Sequence, residues 1–335
     1  MNPVPNLAYR YIPTSVLDGE PHVMLDGAPR SGTVCTLSHW PGTPTPVELW
    51  ADVSAEITLA AMASHGSLPA GVELATIDHY DADGVISLGL LTLPGLASSF
   101  GPMLADAAHV GDFDVVRAPE SMRVSFALAA LEAGADVATT AERALDVLPR
   151  LCADSGAFEG LWGPQWTAFE SARSMVMAGA VVIEEHPAHD LAVVRVDEDR
   201  AGIERASWGG AAVHPSVIHS ATSCMRVATL VGRHYEVRYR YESWVRLMSR
   251  RPRPRVDLTE LGQALDRSEV EVGGPSNDGD HRWEFDGTGA ITPALRRRGG
   301  EESALSPEQF LSEVTHHLER LDAGAPAWDP YRQSP

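Results

Sequence analysis

The segment from His79 to Ser87 contains the residues of this chain that are best suited to chemistry. His79, Asp81 and Asp83 occur at every second position, and Gly84 and Ser87 follow them. Hard cations such as Mg²⁺ and Mn²⁺ take oxygen ligands, and Mn²⁺ also accepts imidazole. Where a backbone leaves a strand, this spacing can bring three side chains to one point, and glycine permits the sharp turn. We therefore predict that His79, Asp81 and Asp83 bind a divalent metal.

The alternative interpretation is an acidic surface turn in which an aspartate caps a helix. An Asp-x-Asp-Gly sequence is common and does not by itself separate the two interpretations. The added histidine and serine, and the position between a strand and a helix, favour a metal site.

The apolar runs around this segment predict the elements that position it. Residues 74–77 form a short apolar run typical of a buried strand, and residues 85–91 indicate a helix. Residues 33–37 predict another strand, which ends just before His39. Ligands of open α/β sheets bind beyond the carboxyl ends of the strands. If the two strands are neighbours, His39 reaches the same crevice as a metal ligand or general acid. Otherwise it is a structural histidine in a Trp-Pro turn.

The alternation of short strands and helices over the first half is the pattern of an α/β sheet. We predict an α/β metal-binding domain over residues 1–198, with a parallel or mixed sheet flanked by helices. A smaller α+β region is predicted over residues 199–335. Further helices are predicted over 45–66, 100–110, 140–152, 166–177 and 307–321, and further strands over 180–184, 191–196, 227–231 and 234–241.

The charge of the chain limits its partners and its chemistry. The net charge is −20, which argues against a surface for long nucleic acids and favours a small anionic substrate bound in a local pocket. All 26 basic residues are arginine. Without lysine the chain cannot form a Schiff base or complete a P-loop, so PLP chemistry and Walker-type ATP hydrolysis are excluded.

The three cysteines are far apart and lack a C-x-x-C spacing, so we expect reduced thiols. The first residues lack the basic start and apolar core of a signal peptide. No run of 18 apolar residues occurs. We therefore expect a cytoplasmic protein with no membrane partner. The sequence leaves its oligomeric state open, with a homodimer as one alternative.

His79, Asp81, Asp83, Gly84 and Ser87 resemble motif I of the DHH phosphoesterase superfamily, whose pattern is roughly H-x-D-x-D-G/A-x-x-S. That superfamily includes RecJ-like nucleases, oligoribonucleases and manganese pyrophosphatases. The resemblance implies a parallel-sheet N-terminal domain and a smaller C-terminal domain. It also implies one or two Mn²⁺ or Mg²⁺ ions that activate water against phosphorus.

Downstream of this segment the resemblance is weaker. It implies a further aspartate ligand that follows another strand, for which Asp112 is the best candidate. The D-H-H signature of the superfamily is absent, and the nearest match is the run from His186 to Asp190. Within that run His189 is the better candidate for a metal ligand or catalytic group, because Asp190 or a carbonyl could orient its ring. The Gly-Gly-His loop of the superfamily is absent as well.

The whole chain also resembles an uncharacterised actinobacterial family that is classed as a domain of unknown function. The resemblance lies in residues 36–42, in the segment that begins at His79, in residues 111–113 and in residues 240–245. It implies no activity.

Substrate binding is predicted at three positions. Arg238 and Arg240 fall on one face of a strand, where two guanidinium groups could clamp a phosphate or carboxylate. The alternative is that both pair with the many acidic residues of the chain. Ser87 falls in the first turns of the helix that follows the metal-binding segment, and it is the third candidate.

These residues support three hypotheses. The first is a metal-dependent hydrolase, most closely a phosphoesterase, that acts on a small phosphorylated metabolite or short nucleotide, with His39 and His189 as catalytic candidates. The second is an enzyme with the same metal site and a different reaction on a small metabolite, because fold and function separate readily. The third is a non-catalytic domain with a remnant of the metal-binding segment.

Overall fold

The computed structural model describes residues 9–132, 136–201, 213–272, 282–324 and 326–333. Residues 1–8, on which the expectation about a signal peptide depends, lie outside the described residues. Within the described ranges, no helix combines the length and the apolar character needed to cross a membrane. The predicted α/β class is confirmed, since two sheets are flanked by helices.

The chain divides into two compact units. The first comprises Met1–Ala168 together with Val245–Arg251 and Tyr331–Pro335. The second comprises Phe169–Trp244 and Pro252–Pro330. The sequence suggested a domain boundary after residue 198, whereas the strands over 181–196 belong to the second compact unit.

A four-stranded parallel sheet forms the centre of the first unit. Its strands are β1 (Arg10–Tyr11), β2 (His22–Leu25), β3 (Thr33–Leu37) and β4 (Leu74–Thr76), in the spatial order β1-β4-β2-β3. Strand β2 is buried along its whole length, as expected for a central parallel strand. Because β3 and β4 lie on either side of β2, the loops that follow these three strands meet at one edge of the sheet.

Helices cover this sheet and form most of the first unit. They are α1 (Ser54–Ala63), α2 (Ala82–Thr92), α3 (Leu96–Phe113), α4 (Pro119–Leu131), α5 (Val137–Ala153) and α6 (Glu159–Met177), whose last part belongs to the second unit. The predicted helix over 85–91 is confirmed as part of α2. Helix α3 continues through Gly111, where an added Cβ would lie 2.5 Å from the Cβ of Ala82. Glycine at this position therefore allows α3 to pack closely against α2.

The predicted helix over residues 45–66 is wrong at its start. Val47–Leu49 form a single 3-10 turn, and α1 begins only at Ser54. Between them Trp50 and Val53 are extended, with ψ angles of 132° and 154°. This extended stretch directs the first N–H groups of α1 into the interior, where a carboxylate from another element receives them.

The second unit contains a six-stranded mixed sheet with helices packed on it. Its strands are β5 (Val181–His186), β6 (Leu191–Val196), β7 (Arg226–Val231), β8 (His234–Tyr239), β9 (Trp283–Phe285) and β10 (Ala294–Arg297), in the order β5-β6-β7-β8-β10-β9. Only β6 and β7 pair in parallel among these described strands. The helices are α7 (Glu198–Ala201), α8 (Pro215–Ala221), α9 (Thr259–Glu271) and α10 (Pro307–Asp322). Side chains of α9 and α10, such as Leu261 and Phe310, complete the core against this sheet.

Candidate metal centre

Asp26 follows β2 directly and lies in the interior of the first unit. Its φ of 44° is in the left-handed region, which aspartate tolerates better than most residues. The Oδ1 atom accepts a hydrogen bond of 2.7 Å from the Ser54 hydroxyl. The Oδ2 atom is buried and has no hydrogen-bond partner among the described residues. A buried carboxylate oxygen is costly to leave without a partner, so this atom indicates that a proton or a cation belongs beside it.

His39 follows β3 and is buried. Its Nδ1 atom lies 2.6 Å from the main-chain oxygen of Asp52. Because a carbonyl only accepts, Nδ1 carries the proton and donates it. Burial lowers the pKa of His39 to about 4, so its ring is neutral at pH 7 and Nε2 presents a lone pair.

Three carboxylates face this lone pair of His39. The Nε2 atom lies 3.5 Å from Asp26 Oδ1, 4.0 Å from Asp83 Oδ2 and 3.4 Å from Asp112 Oδ2. When the carboxyl groups are ionised, every one of these atoms is an electron-pair donor. Such atoms repel one another unless a proton or a metal cation lies among them, and this donor set suits a cation.

His79 follows β4 and lies between two carboxylates. Its Nδ1 is 2.8 Å from Asp78 Oδ1 and its Nε2 is 2.9 Å from Asp81 Oδ2. The Oδ2 atom of Asp26 is 3.5 Å from the same Nε2. Burial lowers the pKa of His79, but the hydrogen bonds to Asp78 and Asp81 outweigh this and raise it to about 11. In the absence of a metal, His79 is therefore an imidazolium and supplies the positive charge of this cluster.

Asp81 has two roles, one for each of its oxygens. It is the N-cap of α2, where Oδ1 accepts the N–H of Gly84 at 2.7 Å. Its Oδ2 faces His79. Burial acts to raise the pKa of Asp81, but the hydrogen bond and charge of His79 lower it overall. The capping predicted as the alternative and the convergence on His79 thus occur in the same side chain.

Asp83 is fully buried in the first turn of α2 and receives the start of α1. Its Oδ2 accepts the N–H of Ser54 at 2.6 Å, and its Oδ1 accepts the N–H of Ala55 at 2.7 Å. An anion at a helix N-terminus is stabilised by the unpaired N–H groups and the helix dipole. Burial and the charge of Asp81 nevertheless raise the pKa of Asp83 to about 7. These two bonds explain why α1 begins at Ser54, and they hold the carboxylate towards His39.

Asp112 joins the cluster from α3 and does not follow a strand, as the resemblance implied it would. Its side chain is almost completely buried, and its contact with His39 was described above. The close packing of Gly111 on Ala82 brings this turn of α3 beside the first turn of α2.

Two groups of ligands result, and Asp26 belongs to both. One group is Asp26, His79 and Asp81, and the other is Asp26, His39 and Asp83; the ligand atoms of each group lie within 4.8 Å of one another. The Oδ2 atom of Asp26 faces the first group and Oδ1 faces the second. We call this set the Asp26 centre. It is built entirely by residues of the first unit.

Asp52 supports the Asp26 centre through its main chain and its side chain. Its carbonyl receives the ring proton of His39, as described above. Its Oδ1 accepts the N–H groups of Met248 and Ser249 at 2.6 and 2.8 Å. Burial acts to raise the pKa of Asp52, but these hydrogen bonds lower it overall. The segment Val245–Arg251 thus fixes the loop that orients His39.

Replacing Asp52 with alanine is therefore expected to weaken Mn²⁺ binding by about tenfold to a hundredfold, the usual effect of losing support for a ligating histidine. Asp52→Asn is the matched control, because both N–H groups bond to one oxygen, which asparagine retains. Calorimetric titration with Mn²⁺ measures both affinities. Equal affinity in the alanine variant and the parent protein would contradict the role of Asp52.

The structure does not bring every predicted residue to the Asp26 centre. His189 lies in the 3-10 turn Pro187–His189 of the second unit and belongs to neither group of ligands. Its main-chain oxygen accepts a hydrogen bond from Arg226, and the carboxylate of Asp190 accepts the N–H of Met225.

Of the three predicted substrate-binding residues, the two arginines already pair with carboxylates and the serine is buried away from solvent. Arg238 donates to both oxygens of Glu236, at 2.7 and 2.9 Å. Arg240 is buried and pairs with Glu242. Ser87 is fully buried inside α2 and does not reach solvent. The alternative of arginines paired with acids is what the described contacts of Arg238 and Arg240 show.

The sequence did not single out Asp26 or Asp78, and for Asp52 it favoured a surface position over a supporting role. A signal for Asp26 was present, since an Asp-Gly pair directly follows the apolar run Val23–Leu25. That is the same relation to a strand by which His39 was found. Asp52 orients His39 through a main-chain oxygen, for which residue type carries no signal, and its side chain bonds to residues that are distant in sequence.

A protein-family model matches residues 7–330 of the chain, and it is described as a family of unknown function (DUF6687). No curated protein and no solved structure matches the chain.

Proposed function

Since the chain belongs to the DUF6687 family, we propose its function from the geometry of the Asp26 centre. We propose that it is a metal-dependent hydrolase, most closely a phosphoesterase. Its substrate is a small phosphorylated metabolite or a short nucleotide, and its cofactor is a pair of divalent cations.

The observation that carries the proposal is the buried Asp26 carboxylate, whose two oxygens face two different histidines at 3.5 Å. A carboxylate in this position can bridge two cations, one on each oxygen. The buried Oδ2 atom, which lacks a hydrogen-bond partner among the described residues, fits this role. A donor set of carboxylate oxygens and imidazole nitrogens suits Mn²⁺ better than Mg²⁺, which prefers oxygen alone.

Each of the two groups of ligands would hold one cation. His79 and Asp81 would hold one cation, and His39 and Asp83, with Asp112 beside them, would hold the other. The main-chain oxygen of Asp52 keeps the proton of His39 on Nδ1 and its lone pair on Nε2. A bound pair of cations would activate water and neutralise charge on a phosphoryl group.

The assignment to phosphoesters rests on the resemblance of the segment from His79 to Ser87 to the DHH pattern. The parallel sheet and the position of the Asp26 centre beyond its carboxyl ends support that resemblance. The net charge of −20 supports a small substrate over a long polyanion.

The test begins with elemental analysis of protein purified without chelator. Hydrolysis of a panel of small phosphoesters is then measured with and without added Mn²⁺. Asp81→Asn is the informative variant, because asparagine keeps the Oδ1 that caps α2 but replaces the oxygen that faces His79. We expect it to lose Mn²⁺ binding and activity while remaining folded. Asp106→Asn, a change at a surface ion pair with Arg117, is the control.

A protein that binds no divalent cation and hydrolyses no phosphoester after Mn²⁺ is added would contradict the proposal. A protein that binds Mn²⁺ in an Asp81-dependent manner but turns over no phosphoester would favour a different metal-assisted reaction on a small metabolite. Unchanged behaviour of Asp81→Asn in every assay would favour a non-catalytic domain.

A further inference from the structure

The Asp26 centre reaches solvent at His79 and Asp81. The side chains of His79 and Asp81 are 34% and 37% exposed. Asp26, His39 and Asp83 are buried. A substrate must therefore approach past His79 and Asp81, and any residue that recognises its charge must lie beside them.

The surroundings of this opening are acidic, since Asp78 and Asp81 flank His79. An anionic group that enters here needs positive charge beyond that of the cations. Arg238 and Arg240, which the sequence suggested for this role, already pair with Glu236 and Glu242.

Arg30 lies beside Asp78 at this opening. It lies in the loop between β2 and β3, which starts at Asp26. Its Nη2 atom is 4.0 Å from Asp78 Oδ2, at the outer limit of an ion pair, and half of its side chain is exposed. The other oxygen of Asp78 already bonds to His79 at 2.8 Å.

The main chain of this loop is fixed even though the Arg30 side chain is exposed. The N–H of Arg30 donates to the Thr33 hydroxyl at 2.8 Å, and the N–H of Thr33 donates to the Arg30 oxygen at 3.0 Å. At Gly27 an added Cβ would lie 2.6 Å from the Asp78 carboxylate, so the loop packs directly against Asp78. The main chain therefore holds Arg30 in a defined place next to Asp78, the residue that bonds to His79.

We propose that Arg30 binds the phosphoryl group of the substrate and thereby selects phosphorylated small molecules. This inference rests on the proposed function, because it assumes cations at the Asp26 centre. A guanidinium group matches the geometry of a phosphate with two parallel N–H donors. The long contact with Asp78 leaves these donors available for such a ligand.

The competing explanation is that Arg30 only supports Asp78 as a surface ion pair. The two roles differ in what they affect. Support of Asp78 acts through His79 and changes cation affinity, whereas phosphate recognition changes anion affinity after the cations have bound.

The experiment titrates the full chain first with Mn²⁺ and then, in saturating Mn²⁺, with inorganic phosphate by calorimetry. The variants are Arg30→Gln and Arg30→Lys. Arg117→Gln is the matched control, since Arg117 is also exposed and also pairs with a carboxylate of the first unit. We expect Arg30→Gln to bind Mn²⁺ as the parent protein does and to bind phosphate roughly tenfold to a hundredfold more weakly. Arg30→Lys is expected to recover part of the loss, and Arg117→Gln to match the parent protein.

Each other outcome overturns the inference in a distinguishable way. Equal phosphate affinity in Arg30→Gln and the parent protein would show that Arg30 does not bind the phosphoryl group. A parallel loss of Mn²⁺ affinity in Arg30→Gln assigns it to the support of Asp78. Binding of Mn²⁺ without phosphate binding by the parent protein refutes a phosphoryl site. Failure of the parent protein to bind Mn²⁺ refutes the proposed function itself.

Discussion

Replacing Asp26 with asparagine is expected to weaken Mn²⁺ binding by about a hundredfold or more while it makes the metal-free protein more stable. Asp26 is the residue common to both groups of ligands, so its loss affects both cation positions. Loss of groups that merely support a ligand already costs up to about a hundredfold in affinity. An amide nitrogen in place of Oδ2 cannot bind a cation.

The expected gain in stability has a separate cause. Burial, and then the charges of Asp81 and Asp83, hold the pKa of Asp26 well above its usual range. The ionised form of this carboxyl is therefore unfavourable in the folded, metal-free protein. Asparagine is neutral and retains an oxygen that can accept the Ser54 hydroxyl, so it removes the unfavourable charge and preserves the hydrogen bond.

Two measurements check this prediction. Urea unfolding in chelator gives the free energy of unfolding, and calorimetric titration gives the Mn²⁺ affinity. Asp106→Asn, a change at a partly exposed carboxylate, is the control for both. An Asp26→Asn protein that binds Mn²⁺ like the parent would contradict the bridging role. A lower free energy of unfolding for Asp26→Asn than for the parent protein in chelator would contradict the claim that the charge of Asp26 destabilises the metal-free protein.

The local parts of the Asp26 centre were predictable because they are adjacent in sequence. His79, Asp81 and Asp83 span one strand-to-helix connection, so residue type and spacing indicated that they lie close together. The structure nevertheless places Asp83 in a different group of ligands from His79 and Asp81. The predictions of β4 and α2 rest on apolar runs, which reflect burial directly. His39 was predicted only on condition that its strand lay near that of His79, and β2 supplies the connection by pairing with both strands.

The distant contacts were not predictable from local pattern. The start of α1 illustrates this, since Thr45 and Pro46 form a plausible local start for a helix. The helix instead begins where Asp83, a residue of α2, receives the N–H groups of Ser54 and Ala55. A cap supplied by another element has no signature within the helix that it caps.

The predicted arginine clamp shows the opposite case, in which the signal was present in the sequence. Arg238 and Glu236 are two residues apart in a strand and therefore share a face. Arg240 and Glu242 are two residues apart as well. Each arginine has a carboxylate two residues away, and the structure pairs them accordingly. Reading charge pairs along the strand predicts neutralised arginines here.

Raising the pH from 7 to 8.5 is expected to destabilise the metal-free protein and to tighten Mn²⁺ binding. His79 causes both effects. The hydrogen bonds to Asp78 and Asp81 outweigh burial and raise its pKa to about 11, whereas in the unfolded chain it is near 6.5. Between these values the folded protein holds a proton that the unfolded chain has released. The contribution of His79 to the free energy of unfolding is thus fully present below about pH 6.5, and it is lost as the pH rises towards 11.

The chosen pH range separates the titration of His79 from those of Asp83 and His39. The pKa of Asp83 is raised to about 7, so its own contribution is largely lost below this range. The pKa of His39 is lowered to about 4, so the stability that it affects rises with pH only between about 4 and 6.5. The slope from His79 is at most about 1.4 kcal/mol per pH unit, and it is smaller in practice because a third of the side chain is exposed to screening solvent.

Mn²⁺ binding has the opposite dependence because a cation must displace the proton from Nε2 of His79. The Nδ1 proton of His79 stays hydrogen-bonded to Asp78. This bond keeps the ring in place while Nε2 exchanges its proton for the cation. The apparent dissociation constant should therefore fall by about tenfold per pH unit. Urea unfolding in chelator and Mn²⁺ titration, each at several pH values, measure the two slopes in the parent protein and in His79→Gln. The variant should lose both slopes together. Slopes that persist in His79→Gln would assign the linked proton to another group and remove His79 from the cation site.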